Sequence, residues 1–216
     1  MRSLKRLFDR QLLKRSIVFW WQRWTRGWDD SETWSMDSSL AKIILPTLQV
    51  YQDMNTMFPW SLTMETWNKI IAEMVWGFQW FADGKQHTYD YNKEADQANR
   101  AHDAIELFAK YYKYLWYSVP KLAHINDPYV WGSASTISTQ IYLAKLILPR
   151  LKRFQEVRMG YPANMTDEEW EVIIAEMMWG FERYANDTHS LCTDNETKRL
   201  QYSIELFGKY YGHLWW

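Results

Sequence analysis

Apolar residues recur at spacings of three and four along most of the chain, the period of an α-helix with one buried face. Leu40, Ile43, Ile44, Leu48 and Tyr51 form one such stripe, and Leu143, Leu146, Ile147, Leu151 and Phe154 form another. They predict helices over about 35–53 and 138–158, each with a proline inside, Pro46 or Pro149, that should kink or split it. Trp67, Ile70, Ile71, Met74 and Phe78, and likewise Trp170, Ile173, Ile174, Met177 and Phe181, predict helices that open at Thr63 or Thr166 and run to about Phe81 and Tyr184. Thr166 followed by Glu169 reads as a capping box, with Asp167 and Glu168 well placed against the positive end of the helix dipole. Ile105, Phe108, Tyr112 and Leu115, with their later counterparts, predict a third pair over about 93–116 and 197–215.

These stripes come in pairs because the chain contains one unit twice. AKIILP at 41–46 returns as AKLILP at 144–149, WNKIIAEMVWGF at 67–78 as WEVIIAEMMWGF at 170–181, and IELFAKYYKYLW at 105–116 as IELFGKYYGHLW at 204–215. A repeat of roughly 100 residues has the size of a small domain. Trp28 aligns with Trp131, Pro59 with Pro162 and Trp67 with Trp170 at one spacing, which shortens by about four residues from Glu106 and Glu205 onward. That change of length falls in the polar stretch 82–104, which therefore reads as largely surface loop. The fold class expected is all-α: two tandem three-helix repeats packed with pseudo-twofold symmetry, preceded by a basic amphipathic helix. The segments are 1–26 for that helix, 27–116 for repeat 1, 117–130 for a connector with Pro120 and Pro128, and 131–216 for repeat 2.

In the N-terminal element, Leu4, Leu7, Phe8, Gln11/Leu12, Val18, Trp21 and Trp24 follow a helical period, with Arg2, Lys5, Arg6, Arg10, Lys14 and Arg15 off that stripe. Three uses fit: docking on its own domain or a second copy, which makes a homodimer plausible; lying in a membrane interface; or reaching nucleic-acid phosphates. Basic charge with Trp suits the last two equally.

Composition adds one anomaly. With 47% hydrophobic and 24% charged residues the chain is ordinary for a globular protein, but 15 Trp, 14 Tyr and 9 Phe are many. A net charge of −1 leaves no global nucleic-acid footprint, and the single Cys192 makes no internal disulfide, which fits a reducing cytoplasm. No apolar run reaches the ~18 residues of a membrane span. Lys14, Arg15 and Arg23 interrupt the N-terminal apolar stretch, so a secretory signal peptide is not expected.

RGWDD-SETWS at 26–35, AK-x-ILPRLK at 144–152, GYP at 160–162, the EEW segment at 169–177 and the LF-x-x-YY-x-x-LW ending resemble small uncharacterised helical proteins of tailed bacteriophages, here in tandem duplication. The resemblance covers most of the chain after residue 20 and rests on framework residues. It implies a viral accessory protein in the host bacterial cytoplasm and no activity to transfer residue by residue. Thr47 and Gln49 stand in the first copy where Arg150 and Lys152 stand in the second, so a site using those charges would exist once.

No phosphate loop, dinucleotide fingerprint, zinc-protease or serine-hydrolase motif is present, so no catalytic residue is assigned and no cofactor is expected. His87, His102, His124, His189 and His213 show no i, i+4 pairing. His189 with Cys192, Asp194 and Glu196 finds only His87 and Asp90 in the first copy, and no metal is expected. Glu73 and Glu176 lack the Glu-x-x-His partner of di-metal bundles, and read as capping or lysine-paired carboxylates. Lys42/Lys145, Glu73/Glu176, Glu106/Glu205 and Lys110/Lys209 persist in both copies, chiefly as structure, with Lys42 and Lys145 as candidates to hold an anion near the twofold axis. Matched tryptophans are mostly core, but fifteen exceed what such a core needs, and indole beside a cation can stack a base. The candidate ligand-binding set is Trp28, Trp131, Lys42, Lys145, Trp76, Trp179, Arg150, Lys152, Arg153 and Arg26. The leading expectation is a non-catalytic phage protein that sequesters a small anionic nucleotide-like molecule, such as a defence signal. The alternative is a protein–protein inhibitor or assembly factor that docks Trp-rich faces on a host or virion protein. An enclosed pocket of Trp and Arg/Lys would favour the first, and an exposed aromatic stripe the second.

Overall fold

The computed structural model describes residues 15–54, 58–87, 91–115, 118–120 and 136–215. Among these it shows seven α-helices: α1 (15–26), α2 (Met36–Met54), α3 (Met64–Ala82), α4 (Tyr91–Tyr111), α5 (Thr139–Val157), α6 (Asp167–Ala185) and α7 (Asp194–Tyr210). A 3-10 turn, Asp30–Thr33, precedes α2, and two more, Tyr112–Tyr114 and Tyr211–His213, follow α4 and α7. The only strands among the described residues, β1 (Ser118–Pro120) and β2 (Thr136–Ser138), form a short antiparallel ladder with Val119 opposite Ile137. The class is all-α. The rest of the 117–130 connector and Trp131 lie outside the described residues, as does the part of the N-terminal helix expected over 2–14.

Helix ends follow the chemistry of their caps. The Thr166–Glu169 capping box opens α6, Thr63 accepts from the Thr66 N–H at the start of α3, and a second capping box, Thr193 with Glu196, opens α7. Of the kink or split expected at the prolines, the split does not occur. Pro46 and Pro149 sit inside continuous helices, and in each the next residue supplies a side-chain donor to the preceding turn. Thr47 Oγ1 donates to the Ile43 carbonyl at 3.4 Å and Arg150 Nη1 to the Leu146 carbonyl at 2.9 Å. A proline removes one rung of the ladder, and these side chains add a donor beside the gap.

The stretch 82–104 is not mainly loop. Helix α4 begins at Tyr91, and Ala98, Ala101 and Ala104 are buried along it. The α3–α4 and α6–α7 connectors are equal in length, 83–90 and 186–193, while α4 has 21 residues and α7 has 17. The four-residue difference is one extra helical turn. Its polar composition reflects an exposed helix face, and the small alanines on the other face let α3 approach so closely that a Cβ on Gly77 would collide with Ala104.

The six later helices pack in a closed ring: α2 on α3, α3 on α4, α4 on α7, α7 on α6, α6 on α5, and α5 back on α2. The core stripes face inward, with Leu40, Ile44, Tyr51, Trp67, Phe78, Phe108, Phe154, Trp170 and Phe207 fully buried. Each copy's C-terminal turn docks on the other copy's first helix. The Gln140 N–H donates to the Leu115 carbonyl at 3.0 Å, and the Asp37 N–H to the Leu214 carbonyl at 3.1 Å. Tyr112 Oη donates to the Gln140 carbonyl and Tyr211 Oη to the Asp37 carbonyl. Burial pushes both phenols well above their ordinary pKa, so they remain hydrogen-bond donors. Tyr112 meets Phe181 and Tyr184 edge-on, as Tyr211 meets Phe78 and Phe81. Where α4 crosses α7, Gly208 faces its sequence counterpart Ala109; a Cβ on Gly208 would lie 2.7 Å from that of Ala109.

Candidate functional site

Helix α1 ends at Gly27, whose φ of 81° is open to glycine and strained for other residues. That turn drives Trp28 inward to 2% exposure. The Arg26 guanidinium lies 3.9 Å from the Trp28 ring centroid and that of Arg150 lies 4.9 Å away. The Trp28 indole is thus buried between protein cations and offers no open face to a base.

The cations around Trp28 are engaged. Arg153 forms a two-point bridge to Asp30, at 2.9 Å from Nε and 2.8 Å from Nη2. Asp30 also accepts from Arg26 and from Gln22 Nε2, and its own N–H donates to Gln22 Oε1. Burial alone would raise the Asp30 pKa, but hydrogen bonds from Arg153, Arg26 and Gln22 outweigh it and hold the carboxyl well below the usual range. Arg150, 4% exposed, is paired with Glu32, whose pKa is raised by burial and only partly restored by that guanidinium. Arg23 pairs with the buried Asp29. Lys152 bonds Glu182 at 3.1 Å. The Arg153–Asp30 and Arg150–Glu32 pairs tie the Asp30–Thr33 turn of the first copy to α5 of the second, and Asp30 joins α1 to them through Arg26 and Gln22.

The other candidates separate. Lys42 is exposed and Lys145 half-buried, and neither lines a described groove. Trp76 and Trp179 are half-buried, each with an arginine over its ring, Arg100 at 4.0 Å and Arg199 at 4.1 Å. Those arginines, rather than lysines, hold the matched carboxylates: Arg100 makes a two-point bridge to Glu73, and Arg199 to Glu176 at 2.8 Å from both nitrogens. Hydrogen bonds from these guanidiniums lower the pKa of both carboxyls. Arg100 and Arg199 lie within the third helices expected over 93–116 and 197–215, but sequence reading did not pair them with the matched carboxylates. The available signal was their shared register with IELF, which carries the four-residue offset.

Glu106, Lys110, Glu205 and Lys209 converge on a half-open groove between α4 and α7, with a volume of ≈ 730 Å³ and a floor of Leu107, Ala109, Ile173 and Leu206. A second groove of ≈ 580 Å³ shares Ile173 and Tyr210 with it and runs along Val172 and Glu168. The first groove holds three carboxylates, with Asp103, against two lysines, and no Trp or Arg lines either one. That chemistry repels an anion and gives a base no indole to stack on.

Comparison with protein-family models, curated proteins and solved structures yields no match. Among the described residues, no three His, Cys, Asp or Glu side chains come together to hold a metal ion. No described helix is long and apolar enough to cross a membrane.

The remaining anomaly is α1 itself. Phe19, Gln22 and Arg26 face the body: Phe19 meets Trp34 edge-on at 6.0 Å, and the other two hold Asp30. The expected stripe through Val18, Trp21 and Trp24 is therefore not the docked face. Ile17 (62% exposed), Trp20 (66%), Trp21 (57%) and Trp24 (74%) point to solvent. At about 100° per residue, these four span an arc of about 100° centred opposite the docked residues. Trp20 and Trp24 stack in parallel, with centroids 6.5 Å apart.

Proposed function

We propose that this chain is a non-catalytic docking protein, in which two three-helix units, 27–116 and 131–216, form a pseudo-twofold body that presents α1 to a partner. The pseudo-twofold reading is supported by the reciprocal Leu115–Gln140 and Leu214–Asp37 contacts and by the facing of Ala109 and Gly208. The docking reading is carried by one observation: the outward stripe of Ile17, Trp20, Trp21 and Trp24 on a helix latched to the body by its opposite face. Exposed aromatic clusters of this size are characteristic of binding surfaces, because indole contributes a large contact area at low conformational cost.

Sequestration of a nucleotide-like molecule is less well supported. Arg26, Arg150, Arg153 and Lys152 already hold carboxylates, and the grooves carry acidic rims. In the bacteriophage setting that the sequence resemblance implies, the protein acts inside a bacterial cell by attachment. The test is a photo-crosslinking residue at position 24 of the full chain, with position 191, on the exposed Leu191, as control. Adducts at 24 well above those at 191 support docking through α1; equal labelling overturns it.

A further inference from the structure

We infer that the surface docked by α1 is an anionic lipid bilayer, with the helix lying in the membrane interface. The inference rests on the docking reading above and commits it to one partner. Three observations favour a bilayer over a folded protein groove. The Ile17, Trp20, Trp21 and Trp24 stripe lies on the face of α1 opposite Phe19, which meets Trp34, so it is not the face packed on the body. Indole is the side chain best suited to the headgroup boundary, where its apolar ring is buried while its N–H stays hydrated.

Charge is the third. Residues 1–26 hold eight Lys and Arg against one acid, Asp9, in a chain whose net charge is −1. The cationic excess is thus confined to the segment that carries the stripe, and the rest of the chain is acidic. An outward aromatic stripe within a segment of such basic composition is what an interfacial anchor carries. Arg23 and Arg26 are held by Asp29 and Asp30, so the attraction falls to the six Lys and Arg at 2–15 in the sequence, each adding to it within a Debye length of anionic headgroups. The acidic body then stays clear of the surface, which orients the protein with α1 towards the lipid.

The experiment is co-sedimentation of the full chain with vesicles of pure phosphatidylcholine and with an equimolar mixture of phosphatidylcholine and phosphatidylglycerol, at low and high salt. The expected result is binding to the anionic vesicles that weakens with salt, with partitioning about tenfold or more lower in W20S/W21S/W24S at unchanged thermal stability. No binding to anionic vesicles, or undiminished binding by that variant, overturns the inference. Tryptophan quenching by brominated lipid gives a second readout: strong quenching in the parent that vanishes in the variant supports insertion of the stripe, and quenching that persists overturns it. The crosslinker at position 24 separates the two failures. Protein or nucleic-acid adducts without vesicle binding refute the lipid partner and leave docking standing, while neither adducts nor vesicle binding refutes both.

Discussion

Two sets of charges have fared differently in the two copies of the repeat. The Glu–Arg bridge beside a tryptophan is present twice, as Glu73–Arg100 at Trp76 and Glu176–Arg199 at Trp179. The latch around Asp30 is present once. Where Asp30 and Glu32 stand in the first copy the second has Ser133 and Ser135, and where Arg150 and Arg153 stand in the second the first has Thr47 and Val50. Acids and bases of the latch are thus absent together from the opposite pairing. Lys152 and Glu182 likewise become Gln49 and Gln79. Loss in pairs is what mutual contacts require, because a buried charge without its partner is costly. The twice-kept bridges stiffen each unit; the latch serves the one feature that exists once, α1.

The largest effects should come where the copies are most alike. Trp67 and Trp170 are both fully buried and meet Tyr111 and Tyr210 edge-on at 5.7 and 5.6 Å. Trp67→Ala and Trp170→Ala should each lower the unfolding free energy by about 3–5 kcal/mol in denaturant titrations. A difference between them of more than about 2 kcal/mol would break the equivalence of the two sites. Next comes the crossing of α4 and α7, where Gly208→Ala should cost about 1–3 kcal/mol by overpacking against Ala109. Adding Ala109→Gly should return part of that loss, since it removes the Ala109 Cβ while the Glu106 Cα and the Ile105 carbonyl stay 3.2 Å from the new methyl. Failure of the double variant to recover would count against a crossing governed by these two residues.

Much of this architecture was legible because period and repetition agree. Core stripes such as Leu143–Leu146–Ile147–Leu151–Phe154 were read correctly from spacing, and the Thr166 cap from local chemistry alone. The loop reading of 82–104 extended too far: α4 occupies its later part, in line with the helix expected from about 93, and Ala between polar residues gives a weak hydrophobic signal there. The candidate residues are not gathered at one site, for a different reason. Proximity of Arg to Trp can be read from sequence, but whether the arginine is already satisfied depends on residues 118 and 123 positions away, such as Glu32 for Arg150 and Asp30 for Arg153. Which face of α1 docks also depended on Asp30 and Trp34, a tertiary fact that the helical period does not carry.

Breaking the latch should have a smaller effect than opening the core. Arg153→Ala should cost about 1.5–3 kcal/mol, since it removes hydrogen bonds between charged, partly buried groups. In a double-mutant cycle with Asp30→Ala, the paired loss should be clearly less than the sum of the single losses. Hydrogen exchange should also quicken in 15–26, because Asp30 is the point where α1 is held; unchanged exchange there would detach the latch from α1.

The pH dependence has two windows, both with stability falling as pH falls. Burial, and then the charge of the neighbouring His213, depress the pKa of His102, which sits beside Asp103, Glu106 and the close-packed Gly212. Below the ordinary imidazole value the unfolded chain binds a proton that the folded chain resists, so folding weakens from about pH 6.5 downwards. The depressed carboxyls of Asp30, Glu73 and Glu176 act below about pH 4, where the unfolded chain again protonates first. Glu32, raised by burial, opposes them. Burial depresses His189 and His213 as well, so His102→Gln should shrink the upper window in a melting-temperature series while leaving the lower one in place, and an unchanged profile would assign the upper window to the other two histidines.

The smallest effect on folding should come from the outward face of α1. Trp20, Trp21 and Trp24 project from the helix face opposite its latch, so W20S/W21S/W24S removes aromatic surface without opening a cavity. Its unfolding free energy should stay within about 0.5 kcal/mol of the parent, as for surface substitutions remote from any packing feature. The contrast with Trp28 sharpens the point, since that indole lies only a few residues away, between Arg26 and Arg150. Trp28→Ser should lower stability by several-fold more than the triple variant in the same titration. If instead the triple variant proved the costlier, the outward tryptophans would be packed in the folded chain, and the division of α1 into a latched face and a docking face would fall.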